Sequence, residues 1–139
     1  MFRIAAIFVA VAVPLSPKLS VGEQQVASFT NDVMPVLTKS GCNAGVCHAK
    51  AGGGQNGFQL SLLGFETQED YEHIVKEDRG RRLFPAAPEH SLLLMKATGR
   101  IPHGGGVRLT PDSDNYTLLL NGIRQGAAYD ADSAPQLIA

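Results

Sequence analysis

The sequence predicts an all-α fold, a small helical domain of short helices joined by glycine-rich loops. Three observations predict it. Apolar residues fall at helical spacing in two segments, Phe29, Val33, Val36, Leu37 and Tyr116, Leu119, Leu120, Ile123. Glycines, Gly41 and Gly126, close both segments, as expected past a helix C-terminus. Alternation is confined to one place, where Phe58, Leu60 and Leu62 alternate with Gln59 and Ser61. That is a short extended segment at best.

The elements follow in order. Ser28 to Ser40 reads as a helix capped by Ser28 or Thr30, with Pro35 either kinking it or marking its first turn. Ala49 to Gly57 is a loop of small residues containing Gly52, Gly53 and Gly54. It suits close backbone approach to a flat ligand and equally a flexible surface loop. Gln68 to Glu77 reads as a short polar helix. The next helix runs from Pro88 through Leu92, Leu93, Leu94 and Met95 to Ala97, and Gly99 stops it. The last helix is the clearest, with Thr110 as N-cap, Pro111 at the first helical position, and Asp112 and Asp114 in the first turn.

The chain has 139 residues and a formal net charge of -1, enough for one small domain plus tails. No basic stripe points to nucleic acid, and no acidic block points to a solvating tail. Trp is absent and aromatics make up 6%, so the core is modest and a buried prosthetic group would add apolar volume to it.

Residues 1–22 read as a secretory signal. Arg3 supplies the positive start, and Ile4 to Leu15 is an apolar run too short to span a bilayer. Small residues Ser20, Val21 and Gly22 suit a cleavage site. The alternative, a retained anchor, meets Pro14 and Pro17. Cleavage gives a periplasmic or secreted protein with no stable membrane insertion. Residues 23–127 then form the domain, and residues 128–139, polar and without periodicity, read as a disordered tail or linker.

The chemistry concentrates at Cys42-Asn43-Ala44-Gly45-Val46-Cys47-His48. These are the only two cysteines, and a histidine follows the second directly. Two thiols add to the two vinyl groups of a porphyrin, and the adjacent imidazole reaches the iron. The usual signature is C-x-x-C-H, and here four residues separate the cysteines. Two alternatives stay open on these residues. One is a Cys42–Cys47 disulfide, which export permits. The other is a zinc site of Cys42, Cys47, His48 and one further histidine, although zinc usually draws two ligand pairs and no second pair is present. Arg81 and Arg82 match haem propionates through bidentate hydrogen bonding, or form a solvated basic turn beside Glu77 and Asp78. His73 and His90 lie in polar surroundings and read as surface residues. No Ser/His/Asp arrangement or phosphate-cradling motif points to an enzyme.

The order of helix, Cys–His motif, glycine-rich loop, helix, glycine-rich loop and terminal helix resembles small class I-like cytochromes c. More narrowly, residues 28–127 resemble the cytochrome c-like domain of large secreted planctomycete proteins. The strings that carry this are Phe29-Thr30-Asn31-Asp32-Val33-Met34-Pro35-Val36-Leu37, the Cys42-to-His48 motif, Gly57-Phe58-Gln59-Leu60-Ser61-Leu62, Gly80-Arg81-Arg82, Ser91-Leu92-Leu93-Leu94 and Pro102-His103-Gly104-Gly105-Gly106, with the helix from Tyr116 to Ala127. The resemblance implies a fold wrapped around covalent haem c, held by Cys42 and Cys47, with His48 as proximal iron ligand. It implies a sixth ligand from the loop before the last helix, where His103 lies. Met95, embedded in a leucine run, is the alternative. Related domains often place Met where Ile101 stands, and Trp where Gly122 stands, a change expected to weaken the last helix's packing. The function implied is electron transfer with a redox partner protein. Its rivals are a haem-free interaction module containing a disulfide, and a haem sensor or enzyme with an open iron position.

Overall fold

Ser28 starts the first helix by accepting a hydrogen bond from Asn31 N–H at 2.9 Å, while Asp32 accepts from Ser28 N–H at 2.8 Å. In this computed structural model the described residues are 26–130 and 132–135, so the expected signal segment lies outside them. The first turn, Phe29–Val33, is a π-helix, and α1 follows as Met34–Lys39. Pro35 explains the wide turn. A proline ring collides with the carbonyl four residues back in an α-helix, and the longer π bond relieves that crowding. Pro35 therefore sits in the first α turn of a helix that covers the expected span.

Three further α-helices follow among the described residues. α2 is Thr67–Tyr71 and continues into a π turn at Glu72–Lys76. α3 is Leu92–Ala97, preceded by a 3-10 turn at Pro88–His90. α4 is Asp114–Arg124. The described residues are helical and contain no strand. The Phe58–Leu62 segment makes only isolated bridges, Ala49 with Leu60 and Gln55 with Phe58.

α4 begins later than its sequence suggests. Its N-cap is Ser113, whose Oγ accepts from Tyr116 N–H at 3.3 Å. Asp112 has a φ of +64°, which no helix continues through. Thr110 O instead accepts from Ser113 N–H at 3.2 Å, closing a turn over residues 110–113. Proline followed by a residue of positive φ is as favourable in such a turn as proline at a helix start.

Phe29, Met34, Leu37, Leu60, Ile74, Leu94, Leu119 and Ile123 form the heart of the core. α4 packs on the Phe29–Val33 turn, and α1 packs on the 3-10 turn at Leu62–Gly64. Tyr129, inside the stretch expected as tail, packs with its ring tilted, 4.9 Å from that of Tyr71 and 6.0 Å from that of Phe29. No helix of the described residues is long and apolar enough to cross a membrane.

Candidate functional site

The end of α1 delivers the first cysteine. Cys42 N–H donates to Leu37 O at 2.9 Å, so the backbone of Cys42 is fixed to the helix terminus. Cys47 N–H then bonds Ala44 O at 3.2 Å and His48 N–H bonds Cys42 O at 3.1 Å. These turns fold the four intervening residues into one small loop and set both cysteines beside His48. Both thiols are free. Asn43, within the loop, is fully buried; its Nδ2 donates to Thr38 Oγ1 at 2.8 Å, and its Oδ1 has no hydrogen-bond partner.

Backbone bridging holds His48 on its other side. Leu60 N–H donates to His48 O, and Lys50 N–H to Leu60 O, both at 2.7 Å. This places Phe58 against the imidazole. The two rings lie 4.6 Å apart, and His48 Nδ1–H donates to Phe58 O at 3.3 Å. A carbonyl can only accept, so the tautomer follows and Nε2 carries the lone pair.

His103 arrives from the loop between α3 and α4. Its Nδ1–H donates to Gly106 O at 2.8 Å. The ring folds over Gly105, where an added Cβ would stand 3.0 Å from His103 Cε1 and 3.2 Å from Nε2. Glycine is what allows that close approach. The structure sets this ring parallel to His48, with centroids 6.1 Å apart and planes 6° from parallel. Metal-binding histidines characteristically donate their other ring N–H to a carbonyl, as both do here.

The electrostatics suit ligation. Burial, more than any charge, lowers the pKa of His48; His103 and Arg82 add to this, and the Phe58 carbonyl opposes it. Neutral imidazole is the form that binds metal. Burial pushes the Cys42 thiol up to about 11, with Arg108 opposing and Cys47 adding. Arg108 is the residue the sequence did not single out. Its Nη2 lies 3.8 Å from Cys47 Sγ, across 61 positions of chain. Only the fold brings them together, so no local signal marked it.

The other candidates have different places. Arg82 is buried, and protein groups occupy its guanidinium: His73 O, Gly57 O and Asp78 Oδ2 all accept from it. Arg81 is exposed and pairs with Asp78 at 3.0 Å. Met95 lies half-buried on α3, where its carbonyl accepts from Ile101 N–H at 3.3 Å. His73 is not the surface residue expected. Its side chain is 17% exposed, and Nδ1–H donates to Gln59 O at 2.6 Å. The bridge that holds His48 also turns the Gln59 carbonyl toward α2, which a polar local sequence does not disclose. His90 is exposed, as expected.

No group of three or more His, Cys, Asp or Glu side chains among the described residues is arranged to hold a metal ion, so the four-ligand zinc set is not assembled there. Cys42, Cys47, His48 and His103 are the side chains that would hold a covalent haem. Comparison with protein families, with curated proteins and with solved structures found no match.

Proposed function

We propose that this chain is a c-type haem protein of the periplasm or cell exterior, with a cytochrome c-like fold, that passes single electrons to a redox partner protein. The observation that carries this reading is the parallel pair of imidazoles, 6.1 Å apart, each fixed through Nδ1 to a backbone carbonyl. His48 and His103 would hold the iron, and Cys42 and Cys47 would hold the ring. Bound haem supplies one-electron redox chemistry. Attachment adds each S–H across a vinyl double bond, the sulfur to one carbon and the hydrogen to the other. That chemistry needs free thiols, which both cysteines are. His48 stays neutral and so keeps its lone pair for the metal. Two imidazole ligands give a lower potential than a histidine–methionine pair, which raises it.

Intact mass and visible absorption of the secreted protein test the proposal. The expected result is a mass raised by one covalent haem, together with a Soret band. A mass two hydrogens below that of the reduced polypeptide, with no Soret band, would leave the disulfide module in its place. The variant Cys42→Ala with Cys47→Ala should carry no covalent haem.

A further inference from the structure

Arg82 is a charged side chain that is only 4% exposed. A guanidinium is tolerated in the interior only when its arms are paired. Here Nη1 donates to His73 O at 2.6 Å and stands 3.3 Å from Glu77 Oε2. Nη2 donates to Gly57 O at 3.2 Å and Asp78 Oδ2 at 3.0 Å. The face of the group covers Phe58, with Cζ 4.6 Å from the ring centroid. Phe58 in turn touches His48 twice, through its ring at 4.6 Å and its carbonyl at 3.3 Å.

The backbone that brings Arg82 inward is strained. Asp78, Arg79 and Gly80 have φ values of +52°, +63° and +69°, three left-handed residues in succession. Two of the three carry side chains, for which the left-handed region is unfavourable. Such strain persists where the surroundings over-determine it, and Asp78 Oδ2 grips both Arg81 and Arg82 at 3.0 Å.

We infer that Arg82 is a positioning residue for the proximal iron ligand: it clamps Gly57 and Phe58 so that the Phe58 carbonyl and ring fix the plane and the Nδ1–H bond of His48. This rests on the haem reading above. The bond to the carbonyl raises the donor strength of the imidazole, so weakening it raises the reduction potential. Arg82→Lys keeps the charge and loses the fork and the flat face. Phe58→Leu keeps the carbonyl and loses the ring, and it decides the question where Arg82→Lys fails to accumulate as holoprotein.

The experiment compares both variants with the unaltered holoprotein by redox titration and by low-spin EPR of the oxidised form. The anisotropy of that EPR signal reports the angle between the two axial imidazole planes. The expected result for Arg82→Lys is an electron affinity raised about tenfold, or about 59 mV for a one-electron couple. Its EPR spectrum should move away from that of parallel planes, and Phe58→Leu should move it in the same direction. Covalent haem with unchanged potential and unchanged EPR in these variants, even with a lowered melting temperature, overturns the positioning role and leaves the haem reading intact. Unaltered protein without a Soret band overturns both.

Discussion

The two sides of this molecule are held by different physics. On one side Phe29, Leu119 and Ile123 are almost fully buried, and Phe29, Tyr71 and Tyr129 form an aromatic cluster. On the other, Val46 is 84% exposed and Val107 66% exposed, flanking a pair of histidines held by backbone carbonyls. The first side is shaped by side-chain packing. The second is shaped by turns, glycines and hydrogen bonds. Folding and ligand binding should therefore respond to different substitutions.

The largest expected separation comes from His103, the proposed sixth ligand. His103→Ala removes one imidazole and touches none of the core, so the reduced holoprotein should become five-coordinate and bind carbon monoxide. Met95→Leu conserves volume and should cost under about 1.5 kcal/mol, with the absorption spectrum unchanged. Visible spectra with and without carbon monoxide, plus the near-infrared region of the oxidised form, check both. A near-infrared band in the unaltered protein that Met95→Leu abolishes would move the sixth ligand to Met95.

The opposite side breaks in the opposite way. Leu119 is 2% exposed at the contact of α4 with the rest of the core. Leu119→Ala removes buried methyl groups and leaves a void, with an expected loss of about 2–5 kcal/mol. Chemical denaturation should show that loss, while the spectrum of the folded fraction keeps its band positions. A shifted spectrum would mean that the two sides are less independent than their packing suggests.

This division also governs how far the sequence could be read. The helices were legible because packing leaves a periodic trace: Phe29, Val33 and Val36 mark one, and Tyr116, Leu119 and Ile123 another. The closeness of Cys42, Cys47 and His48 was legible because they are neighbours along the chain, whereas the approach of the His103 ring to His48 is made across the fold. The start of α4 was misplaced because Thr110-Pro111 serves a turn as well as it serves a helix, and the left-handed φ of Asp112 decides between them. The roles of Arg82, Arg108 and His73 were hidden, because each depends on a contact made across the fold. Arg82 reaches Gly57 over 25 positions and Arg108 reaches Cys47 over 61. No local pattern encodes such pairings.

The smallest expected effect tests the packed side at its weakest point. Gly122 lies in the middle of α4, where glycine is about 1 kcal/mol less favourable than alanine. The expectation that this glycine weakens the packing meets a specific geometry. Gly122 is buried, and an added Cβ would stand 3.5 Å from Ala27 Cβ and 3.8 Å from Val33 Cγ2, ordinary contact distances with no clash. An apolar cavity of about 30 Å³ lies alongside, lined by Phe29, Ile74, Leu119 and Ile123 among others. A methyl group here should gain helix propensity and fill space without displacing anything. Gly122→Ala should therefore stabilise the protein by up to about 1 kcal/mol, read as a raised denaturation midpoint with an unchanged slope. The histidine side should not register it, so the potential and spectrum of the proposed haem should stay as they were. A destabilised Gly122→Ala would mean that α4 and the Phe29–Val33 turn approach more closely than this, with glycine required for the contact.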